Sequence, residues 1–175
     1  MNEPAAVADQ ADELLALYDR ALPEVYGYLL RRCQSAVVAE DLTAETFLAA
    51  VSSVQRGKVP RLTVAWLITV ARNKLVDHWR RLSREERTLQ LASGGATSVE
   101  DAEWDEGLEE PRAMNVLAGL GPHHRIALTL KYLDGFTVPQ IAEQLGRTEH
   151  ATEALLVRAR SAFRKSYGER SDDDS

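Results

Sequence analysis

The chain has 175 residues, of which 45% are hydrophobic and 27% charged, with a single cysteine and a formal net charge of −6. This composition suits a soluble globular protein of one domain or two small ones. There is no run of about 18 apolar residues and no apolar segment at the acidic N-terminus, so we predict neither membrane insertion nor a signal peptide. Because Cys33 has no partner cysteine for a disulfide, a cytoplasmic protein is the simplest interpretation.

The charge is distributed unevenly along the chain. Acidic residues are in excess in 1–13, 83–112 and 169–175, whereas 14–82 and 113–168 together carry a net charge of +7. Both segments that look folded are therefore basic, which favours a nucleic-acid partner. We predict an acidic N-terminal tail (1–12), a first domain (13–84), an acidic flexible linker (85–112), a second domain (113–168) and an acidic C-terminal tail (169–175).

Helical periodicity dominates the first domain. Apolar residues recur every three or four positions, and no segment alternates as a strand does. Helices are predicted at about 12–33, with a break or a second start at Pro23, then at 37–54, and from an N-cap at Thr63 to about Leu82. The third helix has an apolar stripe on one side and Asn73, Asp77, Arg80 and Arg84 on the other.

The second domain is also predicted to be helical. A short helix begins near Ala113, a second helix from Pro122 ends at Asp134-Gly135, and Thr137 with Gln140 forms a capping box for a third helix that ends at Leu145. Thr148 can cap a last helix that runs to about Tyr167. The predicted fold class is all-α, with two small helical domains.

The segment Val138–Leu156 has the spacing of a helix-turn-helix. Ala142 lies where two helices press together, and Gly146 follows where the tight turn needs a positive φ. Leu155 and Leu156 can anchor the second helix on the first. The second helix of such a motif enters the DNA major groove, although an ordinary helical hairpin has a similar pattern.

No catalytic constellation is evident. The four histidines are scattered, and there is no paired metal-ligand spacing, phosphate loop or nucleophile elbow. The acidic residues at 100–110 lack the alternating ligands of a calcium loop. We therefore expect neither an enzyme nor a bound cofactor or metal.

Several motifs together resemble the extracytoplasmic-function sigma factors of the bacterial sigma-70 family. Residues 41–48, Asp-Leu-Thr-Ala-Glu-Thr-Phe-Leu, resemble sigma region 2.2. Ala65-Trp66-Leu67, Ala71-Arg72-Asn73-Lys74 and Asp77-His78-Trp79-Arg80-Arg81 resemble regions 2.3 and 2.4. Gly135-Phe136-Thr137, Ile141-Ala142, Leu145-Gly146 and Arg158-Ala159-Arg160 resemble region 4.2. The order and spacing cover about 14–82 and 113–167.

This resemblance implies an alternative sigma factor that binds core RNA polymerase and recognises and melts promoter DNA. It would place Asp41, Leu42, Glu45 and Phe47 on the β′ clamp helices. The minus-ten element would be held by Arg56, Lys58, Arg61, Arg72, Asn73, Lys74, Arg80 and Arg81. The second domain would contact the β flap, and the minus-thirty-five element would be read by Arg147, Thr148, Glu149, His150, Glu153, Ala154, Val157 and Arg158. The linker would follow the RNA exit channel, and an anti-sigma factor is an expected partner.

The sequence departs from the family pattern at three positions. Ala44 stands where region 2.2 usually has Gln, and Glu153 and Leu155 stand where the recognition helix usually has cations. A carboxylate near phosphates is repulsive, so we expect weak upstream binding. The other interpretations are a helix-turn-helix regulator that acts without polymerase, and a sigma-like protein that mainly binds a protein partner.

Overall fold

The computed structural model describes residues 3–57, 61–90 and 110–172, and the elements it contains there are all helical. This confirms the predicted all-α fold class. The helices are α1 (Glu3–Cys33), α2 (Ala36–Gln55), α3 (Val64–Gln90), α4 (Glu110–Gly119), α5 (Pro122–Leu128), α6 (Val138–Leu145) and α7 (Glu149–Asp172), with a π-helical turn at Thr129–Leu133. No helix within these ranges is long and apolar enough to span a membrane.

The chain divides into two compact units, Met1–Leu75 and Val76–Ser175. In the first unit α1 packs along α2, and the start of α3 contributes its apolar side. Ser35 caps α2 and Thr63 caps α3, through hydrogen bonds from the backbone N–H of Val38 and of Trp66. The buried side chains share one face of each helix: Val25 and Leu29 on α1, Leu42 and Phe47 on α2, and Leu67 and Ala71 on α3.

Two predictions about α1 are wrong. The helix begins at Glu3 rather than at about residue 12, and it passes through Pro23 without a break. A proline inside a helix removes one hydrogen bond and costs about 3 kcal/mol. Ala21 and Val25, on either side of Pro23, are completely buried. Packing of this side of α1 therefore outweighs the local preference of proline.

The second unit contains the C-terminal part of α3 together with α4–α7. Its core has Val116 and Leu117 from α4, Leu128 from α5, and Ala159 and Phe163 from α7. Arg112 fastens the start of α4 to the end of α7, because its guanidinium donates to the backbone oxygen of Tyr167 at 2.6 Å and lies over the Tyr167 ring. Of the predicted linker 85–112, residues 85–90 belong to α3 and 110–112 to α4, and residues 91–109 lie outside the described part of the chain.

The π-helical turn Thr129–Leu133 was not foreseen from the sequence. It widens the end of the predicted 122–133 helix, and the N–H of Asp134 donates to the oxygen of Thr129 at 3.0 Å. Gly135 then reverses the chain with a φ of +70°. Gln140 accepts hydrogen bonds from the Thr137 N–H and hydroxyl at the start of α6, so the predicted capping interaction is present.

Helices α6 and α7 form the predicted helix-turn-helix. Gly146 has a φ of +61° at the end of α6, and the N–H groups of Gly146 and Arg147 donate to the oxygens of Glu143 and Ala142. A Cβ on Gly146 would lie 3.2 Å from Nη2 of Arg80. The left-handed conformation is therefore the main reason for glycine at this turn, because the Arg80 side chain is flexible and can move by a few tenths of an ångström.

We expect Gly146→Ala to lower the free energy of unfolding by about 1–2 kcal/mol, the cost of a left-handed conformation for an L-residue. Gly27→Ala is the matched control, because Gly27 lies within α1 and its Cβ would meet no atom within 4 Å. The free energy of unfolding of this control should rise by up to about 1 kcal/mol, because alanine has a higher helix propensity than glycine. Urea denaturation followed by circular dichroism measures both, and equal effects would show that the turn tolerates a side chain.

Candidate nucleic-acid interface

The exposed side of α2 carries the first candidate surface. Asp41 and Glu45 are exposed one helical turn apart, whereas Leu42 and Phe47 are buried with 2% and 9% exposure. Of the four residues predicted to contact polymerase, two are therefore exposed and two are buried. Asp41 and Glu45 are available to a partner, and Leu42 and Phe47 hold α2 in the core. Ala44 and Leu48 are exposed beside the two carboxylates, and we call these four exposed residues the α2 face.

An apolar groove that was not predicted from the sequence overlaps the α2 face at Ala44 and Leu48. It is a cavity of about 460 Å³ between α1 and α2, lined by apolar residues of both helices that include Leu15, Tyr18, Phe47, Leu48 and Val51. Leu15 is 73% exposed and Leu48 is 68% exposed, which is unusual for leucines that share a groove. Spacing of four residues, from Ala44 to Leu48 and from Leu14 to Tyr18, could have indicated it.

The exposed side of α3 carries the second candidate surface. Arg56 and Arg61 are exposed before the helix, and Lys58 lies outside the described residues. Asn73 and Arg81 are exposed on α3, and Arg72, Lys74 and Arg80 are half-buried. Asn73, Arg80 and Arg84 share one side because they are separated by seven and four residues. The polar side predicted from the sequence therefore exists, and its one carboxylate, Asp77, lies 3.7 Å from Arg80. The polar side and its two flanks together are called the α3 face, and its residues are Arg72, Asn73, Lys74, Asp77, Arg80, Arg81 and Arg84.

An ion pair connects the α2 and α3 faces. Nζ of Lys74 lies 3.7 Å from Oε2 of Glu45, and both side chains are partly exposed. An exposed pair of this kind contributes about 1 kcal/mol or less to stability. Its importance is that it places a residue predicted to bind polymerase next to a residue predicted to bind DNA.

The third candidate surface is the recognition helix α7. Its buried residues lie together on one side: Thr152, Leu155, Leu156, Ala159 and Phe163. Glu149, His150, Glu153 and Arg158 are exposed on other sides of the helix, and Ala154 and Val157 are half-buried. Thr148 accepts a hydrogen bond from the Ala151 N–H at 3.2 Å and caps the helix. Arg147, half-buried, precedes it.

The structure corrects one inference about α7. Leu155 was counted among the missing cations of the recognition helix, but it is 1% exposed and points into the core. A side chain at this position packs in the core rather than on the surface of α7. Glu153 is exposed, so it is the departure that affects the charge of the helix surface.

His124 has an unusual environment near α7. Its burial, together with the positive charges of His123 and Arg158, lowers the pKa of His124 from 6.5 to about 4. The rings of His123 and His124 are 4.2 Å apart, and Nδ1 of His123 lies 3.9 Å from a carboxylate oxygen of Glu86. His124 is consequently neutral at physiological pH.

Family models match most of the chain. Sigma-70 region 2 matches residues 17–85, and Sigma-70, region 4 matches residues 112–163. The ECF RNA polymerase sigma factor BldN of Streptomyces coelicolor is 34% identical over 160 residues, covering 88% of this chain and 60% of BldN. The ECF RNA polymerase sigma factor SigL of Mycobacterium tuberculosis is 32% identical over 162 residues, covering 91% of each chain.

A solved structure has a similar fold. It is the sigma factor RpoE of Bartonella quintana in complex with the anti-sigma factor NepR. The TM-score is 0.51 at 22% sequence identity, over 90% of this chain and 96% of that one. At this identity the similarity is one of fold.

The shifted pKa of His124 predicts a pH-dependent stability. The unfolded chain binds a proton at His124 near pH 6.5, but the folded chain does so only near pH 4, so this residue destabilises the fold as the pH falls between these values. Near pH 5, unfolding should take up about one proton at this residue. We expect His124→Gln to lose less stability than wild type between about pH 7 and pH 5.

Urea denaturation at several pH values measures this difference. His150→Gln is the matched control, since His150 is exposed on α7. The control should follow the wild-type pH profile. If His124→Gln and wild type lose stability in parallel, the assigned environment of His124 is wrong.

Proposed function

The chain belongs to the extracytoplasmic-function sigma factors of the sigma-70 family, and we propose that it directs core RNA polymerase to a specific set of promoters. The observation that carries this proposal is that one chain presents an acidic α2 face, a basic α3 face and a helix-turn-helix. A regulator that acts alone on duplex DNA needs only the last of these. The sigma function uses all three.

The α2 face is the proposed docking site for the β′ clamp helices. Asp41 and Glu45 supply negative charge, and the apolar groove beside them supplies area that loses water on binding. Leu15, Leu48 and Val51 are costly to leave in water, and a helical partner laid along the groove would cover them. The second unit would contact the β flap, and the linker would follow the RNA exit channel.

The α3 face is the proposed site for the minus-ten element. Cations and Asn73 on one side of a helix can follow the backbone of a single strand. Lys74 is held by Glu45 in the free chain. A polymerase that engages Glu45 would weaken this ion pair and release Lys74 toward DNA. Polymerase binding and strand capture are thereby coupled in the first unit.

An anti-sigma factor is the proposed regulator, and the apolar groove is its proposed site. RpoE, which shares the fold, is bound to an anti-sigma factor in its solved structure. A regulator that covers the groove would compete with polymerase for the same exposed leucines. A pull-down from the native cell that recovers only polymerase subunits would count against this regulator.

The central experiment is a titration of core RNA polymerase with the chain, followed by run-off transcription on genomic fragments. We expect Asp41→Lys together with Glu45→Lys to weaken binding by about tenfold or more, because both changes reverse charge on the α2 face. The amount of run-off transcript should fall together with the affinity for polymerase.

Glu24→Lys together with Glu143→Lys is the matched control, with the same change of charge at exposed positions outside the α2 face. The control should bind and transcribe like wild type. Equal polymerase affinity in the two double variants would remove the α2 face from the proposal. A wild-type chain that forms no complex with core polymerase would remove the sigma function itself.

The recognition helix generates a separate prediction. Glu153 is exposed on α7, where its charge repels phosphates, although it can accept a hydrogen bond from cytosine. We expect Glu153→Lys to raise affinity for any duplex and to relax sequence preference. Fluorescence anisotropy with promoter and scrambled duplexes measures both. If Glu153→Lys lowers affinity for the promoter duplex alone, Glu153 reads a base.

A further inference from the structure

A second cavity of the first unit lies between α1 and α2, next to the apolar groove, with which it shares Ala44. Its volume is about 490 Å³, within the usual range for small-molecule sites. One strip of each helix contributes to its lining, with residues three or four positions apart. Among them are Tyr18, Leu22 and Tyr26 on α1, and Glu40, Ala44 and Phe47 on α2. We call it the aromatic cavity.

Three aromatic rings line the aromatic cavity. The ring centroids of Tyr18 and Phe47 are 4.8 Å apart and the ring planes are inclined at 60°, so the two rings form a corner rather than a flat wall. Tyr26 contributes a third ring from two turns further along α1. The face of an aromatic ring carries partial negative charge. Rings on both helices therefore give walls that attract a positive charge.

The polar groups of the cavity have the same sign. Glu40 is exposed and is the one charged residue in the lining. The hydroxyl of Thr43, which also lines the cavity, donates to the backbone oxygen of Ala39 at 2.6 Å and has only its oxygen left to offer a ligand. Pro23 on the α1 wall has no N–H, so the carbonyl of Asp19 loses its usual helical donor. These groups favour a cation and disfavour an anion.

We propose that the aromatic cavity binds a small organic cation that carries an alkylated ammonium group. Such a group is attracted to ring faces and is the kind of ligand that aromatic cages bind. A primary ammonium is a strongly hydrated point charge with three donors, for which a single carboxylate is a poor exchange for water. The cavity touches the α2 face at Ala44, but its rings and Glu40 lie outside that face. The ligand site is therefore additional to the proposed polymerase and DNA surfaces.

An NMR titration of the isotope-labelled full chain with choline tests the site. Its matched neutral ligand is dimethylbutanol, in which a carbon atom replaces the choline nitrogen and the shape is kept. We expect saturable shifts of amide signals in α1 and α2 around the cavity, with choline binding about fivefold or more tightly than dimethylbutanol. Nα-acetyl-lysine amide represents the primary ammonium of a protein side chain, and should bind more weakly than choline.

Two pairs of variants separate the ring from the carboxylate. Tyr18→Leu should weaken choline binding by about fivefold or more, whereas Tyr18→Phe keeps the ring and should change it by less than about twofold. Tyr18 is 39% exposed, so neither change opens the core. Glu40→Gln should weaken choline binding and leave dimethylbutanol binding unchanged. Glu143→Gln is its control, since Glu143 is exposed on α6 in the second unit.

Several outcomes would overturn the site. Equal affinity for choline and dimethylbutanol would leave only an apolar pocket, and tighter binding of Nα-acetyl-lysine amide than of choline would reject the alkylated ammonium. Equal losses in Tyr18→Leu and Tyr18→Phe would remove the ring from the site. Absence of saturation, or shifts confined to the second unit, would remove the cavity. Because neither polymerase nor DNA is present, failure here is separate from failure of the sigma function.

Discussion

The packing of one side of α7 against α4, α5 and α6 is the interaction on which the second unit depends. Leu155, Leu156, Ala159 and Phe163 are almost completely buried there. Burial of large apolar side chains contributes about 1.5–3 kcal/mol each, so these residues fix how α7 is rotated about its axis. That rotation decides which residues reach DNA. Gly146 and the cap at Thr148 set where the helix starts, and the core sets which side it presents.

In both units the charged residues lie on the sides of the helices that the core leaves exposed. Each helix has one apolar side to bury, and the remaining side is free to carry a binding function. On α2 the remaining side is acidic and on α3 it is basic, and the Glu45–Lys74 ion pair lies where they meet. In the second unit the exposed part of the recognition helix carries both signs of charge, at Glu149, Glu153 and Arg158. A net charge of −6 for the whole chain hides this separation.

Local sequence rules predicted the features that depend on a few neighbouring residues. The caps at Thr63 and Thr148, the Thr137–Gln140 pair and the left-handed Gly146 all belong to this class. Features that depend on distant packing were missed. The unbroken α1 at Pro23 depends on burial of the residues around it, and the π-helical turn at Thr129–Leu133 has a hydrogen-bond spacing that helical periodicity does not reveal. The apolar groove needs two helices side by side, and the four-residue spacing indicates the apolar strip on each helix but not that the two strips meet.

Leu155 illustrates why a family pattern and a structure answer different questions. Compared with the family pattern, both Glu153 and Leu155 look like lost DNA contacts. The fold separates them, because Leu155 is 1% exposed and contributes packing, whereas Glu153 is exposed and contributes charge. Leu42 and Glu45 differ in the same way within the region 2.2 motif. A motif shows which positions matter together, and burial then decides which of them bind a partner and which hold the helix in place.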